Sequence, residues 1–354
     1  MKICFLGVFS GGGTERICYK LANNLIKIYD IYIINCGKNE SFFCLNEKIH
    51  YMKLEGNNIL QKNYNLFKIL KEEKIDIVVT LEAMTGIISI IPVLLANRKH
   101  IIWEHANYYQ TQGSKYIKII RKLELKIADA YIVLTKRDLF NFKNNFKIKT
   151  HIENIYNMIE KKEVEVEYDT FSKVIVSAGH IRKIKNFSII PEIGKIIFNK
   201  YPEWCWKIYG EKSGEEYERI KEKIKEFNLE KNIVFCGKTK EIEKEYRKAA
   251  IYVMTSLKEG LPMVLLEAKS NKLPLVSFDI ETGPDEIIRN GVNGFLISAY
   301  DLVEMAEKIC ILIENSNLRK EFSDNSIYDL EKFDEKTIVK KWKKLLEGVN
   351  NEKL

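Results

Sequence analysis

Short apolar runs alternate with amphipathic stretches along the first 150 residues. The runs are rich in β-branched and aromatic residues, which predicts buried strands. They lie at 2–9, 31–36, 76–82, 100–106 and 129–135. Stretches between them, such as NLFKILKEEK at 65–74, have the spacing of a helix. This alternation predicts a parallel sheet with helices on both faces.

The pattern lapses at 155–172 and then resumes. That stretch holds charged residues without clear periodicity, so we interpret it as a linker. Further strands are predicted within 173–180, 205–211, 232–242, 249–256 and 274–279. We therefore expect a first α/β domain at 1–165 and a second at 166–330. The last segment, 331–354, contains an amphipathic helix at 334–348.

Composition agrees with two domains of a soluble protein. The chain has 354 residues, 46% of them hydrophobic and 30% charged, which is enough for two sizeable cores. Seven scattered cysteines without a Cys-x-x-Cys pair indicate reduced thiols and a cytoplasmic location. The longest apolar stretch, 86–96, is far shorter than a membrane span and contains Pro92.

The formal charge of +8 is spread unevenly. Residues 1–150 hold 23 Lys and Arg against 13 Asp and Glu, whereas the remainder holds 34 against 36. Such a basic excess suits nucleic acid, an anionic membrane or a phosphorylated substrate, and no nucleic-acid motif favours the first. It is densest at 115–126, where helical spacing puts Lys115, Lys118 and Lys122 on one face with Arg121 at its edge. A solvated basic face and a peripheral contact with the inner, anionic face of a membrane both fit this pattern.

A second charged pattern lies in EGLPMVLLEA, where Glu259 and Glu267 stand eight residues apart. The segment follows a predicted buried strand, Gly260 allows a tight turn, and Pro262 suits the first position of a helix. Glu267 would then lie about 7.5 Å along the helix axis, with the positive end of the helix dipole between the two carboxylates. That layout suits the hydroxyl groups and diphosphate of a nucleotide sugar. A solvated helix face is the alternative.

The first predicted strand leads into Ser10 and three glycines, and then into a helix. This opening is typical of a nucleotide-binding α/β domain. A nicotinamide fingerprint would need glycine at position 16, which is Arg16, so a dinucleotide-dependent oxidoreductase is disfavoured. Two more candidates, Glu82 and His105, fall at the carboxyl ends of predicted strands, where such sheets bind ligands.

The segment from Glu259 to Glu267 resembles the glutamate-x7-glutamate motif of retaining glycosyltransferases of family four. The resemblance covers nearly the whole chain and is most specific from Phe235 to Ile297. It implies the GT-B fold, in which two Rossmann-like parallel-sheet domains face each other across a cleft and the last helix crosses back to the first domain. By resemblance, Glu259 contacts hydroxyl groups of the donor sugar and Glu267 holds the ribose of the nucleotide.

The resemblance also implies roles for residues outside the motif. His105 would face the reacting sugar, and the first domain would hold the acceptor. The implied donor-binding residues are Gly12, Gly13, Gly210, Gly237, Gly260 and Leu261.

One basic stretch departs from the family pattern. In SAGHIRKIKN, His180 stands where the family has an arginine, while Lys185 keeps the position of the family lysine. We expect Arg182 to supply the missing cation, but the sequence leaves open whether Arg182 or His180 takes that role.

We therefore expect a retaining glycosyltransferase that moves a hexose or N-acetylhexosamine from a nucleoside diphosphate sugar, most simply a UDP-sugar. The expected acceptor is a glycan or lipid-linked molecule of cell-surface polysaccharide biosynthesis, and nucleic acid is not an expected partner. With Arg182 and Lys185 as cations, and without Asp-x-Asp or His/Cys ligand spacing, we expect no metal or cofactor. The alternatives are a UDP-sugar 2-epimerase of the same fold and a non-catalytic module that binds sugar nucleotides.

Overall fold

The computed structural model describes residues 1–9, 11–37, 43–109, 114–160 and 167–352. Ser10 of the glycine loop and residues 161–166 of the expected linker lie outside the described residues. The chain forms two compact units. The first consists of Met1–Met158 with Lys332–Leu354, and the second of Ile159–Glu331.

The first unit contains a parallel sheet of seven strands with the order β3-β2-β1-β4-β5-β6-β7. Its central strands are fully buried, as the apolar runs predicted. The strands are β1 (Lys2–Gly7), β2 (Asp30–Asn35), β3 (His50–Lys53), β4 (Ile77–Leu81), β5 (Lys99–Trp103), β6 (Ala130–Val133) and β7 (His151–Asn154).

Side chains at their N-termini help to fix three helices of this unit. Asn58, Ser114 and Thr135 each accept a hydrogen bond from a backbone N–H in the first turn, which satisfies a donor that the helix leaves unpaired. The helices are α1 (Gly13–Leu25), α2 (Ile59–Glu72), α3 (Gly86–Leu95), α4 (Lys115–Ile127) and α5 (Lys136–Asn145).

The last helix of the chain also belongs to the first unit. This helix, Glu335–Asn350, buries the apolar positions that its sequence pattern predicts. Trp342 packs against Trp103 of β5 with their ring centroids 4.7 Å apart. The packing of two large aromatic rings buries apolar surface and ties the end of the chain to the first sheet.

The second unit contains a parallel sheet of six strands with the order β10-β9-β8-β11-β12-β13. The strands are β8 (Val174–Ala178), β9 (Cys205–Tyr209), β10 (Ile233–Gly237), β11 (Ile251–Met254), β12 (Leu275–Phe278) and β13 (Gly294–Ile297). The helices are α6 (Ile190–Lys200), α7 (Glu215–Glu226), α8 (Ile242–Arg247), α9 (Met263–Ser270), α10 (Pro284–Ile287), α11 (Leu302–Glu314) and α12 (Ser316–Asp324). The helix Glu335–Asn350 is therefore α13.

The two sheets share the order of their first six strands, and the first sheet has β7 in addition. Counted within its own unit, the first strand lies beside the fourth, and the order reverses between them, at β1 and β4 in one unit and at β8 and β11 in the other. Ligands of doubly wound sheets bind outside the carboxyl ends of the strands at such a switch point. The predicted fold class, two Rossmann-like parallel-sheet domains, is confirmed.

Two details of the sequence prediction were wrong or incomplete. Pro262 is not the first helical residue but the N-cap, and α9 begins at Met263. The edge strands β3 and β7 were missed because their side chains are exposed or half-buried and show no apolar alternation. Within the described residues, no helix combines the length and apolar character needed to cross a membrane.

Candidate functional site

The carboxyl edge of the second sheet brings together a lysine and a glutamate from distant parts of the sequence. Lys185 Nζ donates to Glu259 Oε1 over 2.6 Å, and the two side chains are 22% and 12% exposed. Two further bonds hold the loop after β8 against the loop after β11. Leu257 N donates to Ile184 O over 2.8 Å, and Thr255 Oγ1 donates to the Lys185 carbonyl over 2.9 Å. The ion pair is thus fixed in place yet accessible from solvent.

The turn that follows Glu259 is supported from the loop after β12. Thr282 Oγ1 donates to the Glu259 carbonyl over 2.7 Å. Gly283 has a φ of +106°, and a Cβ there would lie 2.6 Å from both Gly260 O and Pro262 Cδ. Any other residue at 283 would therefore strain the backbone and push the two loops apart.

Glu267 is the fifth residue of α9 and is half-buried. Burial raises the pKa of Tyr252, and the negative charges of Glu267 and Glu259 raise that pKa further. Both carboxylates of the motif therefore act on one buried phenol at this sheet edge.

His180 and Arg182 are both exposed in the loop after β8. Partial burial of the imidazole ring lowers the pKa of His180, and the neighbouring cations Arg182, Lys185 and Lys238 lower it further, against the opposing effect of Glu211. The imidazole is therefore uncharged at neutral pH. Of the two candidates for the family arginine, only Arg182 brings a permanent positive charge to this cluster.

Two predicted donor-binding glycines also lie at this edge. Gly210 N donates to Gly237 O over 3.1 Å, and a Cβ at position 210 would lie 2.4 Å from Gly179 O. Packing of neighbouring turns alone thus requires glycine at 210. Gly237 has a φ of +84°, which favours glycine for conformational reasons. The side chain of Leu261 is buried in the protein.

The glycine loop of the first unit behaves differently. A Cβ added to Gly12 or Gly13 would meet no atom of the described residues within 4 Å. Gly12 has an ordinary φ of −89°. Neither conformation nor packing within the described chain explains glycine at these two positions, which agrees with space for a ligand next to the backbone. Gly11 N, by contrast, already donates to Glu15 Oε2 over 2.5 Å.

His105 follows β5 and packs on Trp103 with ring centroids 4.6 Å apart. Burial lowers its pKa to about 3, so the ring is neutral at physiological pH. Its Nε2 atom is shielded from solvent and has no hydrogen-bond partner among the described residues. A neutral imidazole of this kind is able to hydrogen-bond a ligand without adding charge.

The loop that carries His105 is anchored by a buried ion pair that the sequence pattern did not reveal. Arg121 Nε donates to Glu104 Oε2 over 2.9 Å, and the side chains are only 3% and 1% exposed. Arg121 also donates to the carbonyls of Asn107 and Tyr108 over 3.2 and 3.1 Å. The placement of Arg121 on an exposed basic face was therefore wrong, because it lies on the inner side of α4.

Other carboxyl groups are buried near this ion pair. Burial raises the pKa of Asp138 to about 7, and it raises that of Glu124 well above the usual range. Neither carboxyl oxygen of Glu124 has a hydrogen-bond partner among the described residues. Nothing in the local sequence separates such groups from ordinary charges on a helix surface. Glu104 was the most detectable, since it is a carboxylate inside a predicted buried strand, 100–106.

Comparison with known proteins agrees with this geometry. The sequence model described as "Glycosyl transferases group 1" matches residues 158–328. An uncharacterized glycosyltransferase of Haemophilus influenzae is 30% identical over 352 residues, which cover 96% of this chain and 98% of the relative. The chain belongs to the glycosyltransferase group 1 family.

Two further proteins show how far the similarity of this glycosyltransferase extends. A Campylobacter jejuni α-1,4-N-acetyl-D-galactosaminyltransferase, named for a diphospho-undecaprenol-linked substrate, is 25% identical over 366 residues and 99% of both chains. The crystal structure of HepE from Anabaena in complex with UDP and glucose superposes with a TM-score of 0.81 at 17% identity. It covers 98% of this chain and 100% of the other. The latter likeness shows the fold.

The predicted family and enzyme class are thereby confirmed. The chain is a glycosyltransferase of glycan biosynthesis with the GT-B fold. Such enzymes bind a nucleotide-sugar donor and a glycan or lipid-linked acceptor.

Proposed function

We propose that this glycosyltransferase moves a hexose or N-acetylhexosamine from a UDP-sugar to a glycan or lipid-linked acceptor of cell-surface polysaccharide biosynthesis, with retention at the anomeric carbon. The observation that carries the proposal is the accessible pair of Lys185 and Glu259, with Glu267 at the same sheet edge. The names of the relatives support it, since one acts on a diphospho-undecaprenol-linked glycan and one binds UDP and glucose.

The second unit is the proposed donor site. Glu259 accepts hydrogen bonds from hydroxyl groups of the sugar, and Glu267 accepts them from the ribose. Lys185 and Arg182 stabilise the negative charge that develops on the leaving diphosphate, with help from the N-terminus of α9 that follows Gly260 and Leu261. These cations take the place of a metal ion, so we expect activity to persist in excess EDTA.

Retention is proposed to follow a front-face route, in which the leaving phosphate takes the proton of the acceptor hydroxyl. The transition state then carries positive charge on the sugar. The family resemblance implies that His105 faces the reacting sugar, where a cationic imidazole would oppose that charge. Burial keeps His105 neutral, so it is suited to bind a sugar hydroxyl without this penalty.

The first unit is the proposed acceptor site, and its helix α4 is a proposed contact with the inner face of the membrane. Four lysines of α4, at 115, 118, 122 and 126, are exposed. Tyr116, Ile119 and Leu123 are exposed between them at 79%, 56% and 45%. Basic and apolar groups on one helix side suit an anionic lipid surface.

The proposed reaction is tested by a thermal-shift screen against UDP- and GDP-sugars, followed by mass spectrometry of the products. We expect stabilisation by UDP-sugars and a product whose mass grows by one hexose or N-acetylhexosamine. Formation of an epimeric UDP-sugar without an acceptor would contradict the proposal in favour of a 2-epimerase. Binding without turnover across all donors and acceptors would contradict it in favour of a non-catalytic module.

A further inference from the structure

Glu82 has an unusual backbone conformation for a residue with a side chain. Its φ is +63° and its ψ is 142°. Asn186, by comparison, has a φ of +53° and a ψ of 35°, which is the ordinary left-handed region that asparagine tolerates. The conformation of Glu82 lies outside that region and is strained for any residue except glycine. A residue that keeps this strain without being glycine is a candidate for a functional role.

Glu82 lies at the switch point of the first sheet. It directly follows β4, the neighbour of β1, and its N–H donates to Trp103 O over 2.9 Å. Thr14 Oγ1 donates to Glu82 Oε1 over 3.2 Å. Thr14 directly follows Gly12 and Gly13, the two glycines that the described protein atoms leave unexplained. A hydrogen bond thus links the carboxylate to the residue that directly follows these two glycines.

Three described groups at this edge, on Glu15, His105 and Glu82, are hydrogen-bond acceptors or neutral. Glu15 occupies Gly11 N, which reduces the attraction of the α1 N-terminus for an anion. His105, after the neighbouring strand β5, is uncharged and has an Nε2 atom without a partner among the described residues. Burial and the charge of Glu104 raise the pKa of Glu82, so a further negative charge is unfavourable here.

We propose that Glu82 is a specificity-determining residue that accepts a hydrogen bond from an acceptor hydroxyl, and that the acceptor group bound at this edge is an uncharged sugar rather than a phosphate. This inference rests on the proposed function, in which the first unit holds the acceptor. The phosphate of a lipid-linked acceptor then binds elsewhere, away from the switch point.

The test compares wild type with Glu82→Gln, Glu82→Gly and the surface control Glu72→Gln in α2. UDP-glucose, UDP-galactose and their N-acetylamino analogues serve as donors. Octyl glycosides of the same sugars serve as neutral acceptors, and the same glycosides carrying a phosphate ester serve as anionic ones. The readouts are kcat and KM for the acceptor, UDP affinity by calorimetry, and Tm.

We expect wild type to prefer the neutral glycosides. Glu82→Gln is expected to raise the KM for the acceptor about 10- to 100-fold, because a charge-assisted hydrogen bond is lost. The preference of the enzyme for neutral over phosphorylated acceptors should become smaller. Affinity for UDP stays unchanged, since UDP binds the second unit. Glu82→Gly should fold with an equal or higher Tm, because glycine relieves the strain, but with the same rise in KM. The Glu72→Gln control behaves as wild type.

Three results would overturn the inference while the proposed function stands. They are a preference of wild type for phosphorylated acceptors, an unchanged acceptor KM in both Glu82 variants, and UDP-sugar hydrolysis without transfer to any neutral glycoside. Absence of UDP-sugar binding by wild type would instead remove the proposed function, and this inference with it.

Discussion

The carboxyl edges of the two sheets share the order of their first six strands but carry different ionisable groups. The second unit places Arg182, Lys185 and Lys238 together after β8 and β10. The first unit places carboxyl groups there, at Glu82 after β4 and Glu104 after β5. Topology thus places the candidate site of each unit, whereas the residues at the strand ends set its local electrostatics.

Net charge alone would have suggested a basic site in the first unit and an acidic one in the second. Residues 1–150 carry ten more basic than acidic residues, whereas the rest of the chain carries two more acidic than basic ones. Part of the basic excess of the first unit lies on exposed surface, as in the lysines of α4, while several of its carboxyl groups are buried. The charge of a domain therefore does not report the charge of its site.

The ion pairs of the two edges also differ in accessibility. Arg121 and Glu104 are buried, and Arg121 uses its donors on Glu104 and on backbone carbonyls. Lys185 and Glu259 keep part of their surface exposed to solvent. The first pair is suited to hold a loop in place, and the second to exchange its partner for a ligand. The following predictions test this comparison.

The largest expected effect is on stability and comes from Arg121→Ala. Removal of the guanidinium leaves Glu104 buried and uncompensated, which costs about 3–5 kcal/mol. Denaturant unfolding of the variant measures that loss. The control Lys122→Ala removes the next, exposed cation of α4 and should change stability by less than about 0.5 kcal/mol. Equal effects of the two substitutions would show that Arg121 is not a structural anchor.

The next effect is on catalysis and comes from Lys185→Ala. Loss of a cation that stabilises the leaving group should lower kcat about 10²- to 10³-fold, with little change in Tm. Lys183 lies in the same short 3₁₀ turn and is exposed, so Lys183→Ala is the matched control. We expect Arg182→Ala to lie between the two. A Lys185→Ala enzyme with full turnover would exclude the proposed role of this pair.

The two glutamates of the motif should separate binding from turnover. Glu267→Ala removes a charged acceptor from the proposed ribose site and should weaken UDP binding by about 1.5–3 kcal/mol. Glu259→Ala should leave UDP affinity nearly unchanged and lower turnover, because it contacts the sugar rather than the nucleotide. Calorimetry with UDP and rates with a UDP-sugar measure both quantities. The reverse result would mean that the two roles are exchanged.

The parts of this structure that the sequence predicts are those with a repeated physical pattern. The buried central strands of both sheets are continuous apolar runs, and α13 buries the apolar side that its spacing shows. The edge strand β3 is largely exposed and carries no such pattern. The motif around Glu259 was recognisable because strand, turn and helix follow one another locally.

The buried charges of the first unit were not predictable for a different reason. Arg121 and Glu124 lie within one turn of α4 among exposed lysines. From the sequence, both residues are therefore expected to face solvent. Their burial depends on Glu104 and on Gly86, which are distant in sequence. A Cβ at Gly86 would lie 2.1 Å from Glu124 Oε1, so the absence of a side chain there makes room for this carboxyl group. Such contacts arise only once the fold brings these elements together.

The smallest expected effect per residue concerns the exposed side of α4. Each lysine near an anionic leaflet contributes about 1 kcal/mol, so four of them are needed for reversible attachment. We expect cosedimentation with anionic liposomes, little with neutral ones, and loss of binding at high salt. The variant Lys115→Glu, Lys118→Glu, Lys122→Glu, Lys126→Glu should stay folded, since none of these side chains is buried, and should remain in the supernatant. Arg121 is left unchanged in this variant because its loss would unfold the loop rather than test the surface.

A control with the same change at the exposed lysines 212, 221, 225 and 231 of the second unit has the same net charge and should still bind. Equal loss of binding in both variants would show that net charge, and not the position of the lysines on α4, determines binding to the liposomes. If the wild-type protein cosediments equally with neutral and anionic vesicles, or with neither, the proposed membrane contact of α4 is contradicted. An acceptor that is not membrane-bound is then favoured.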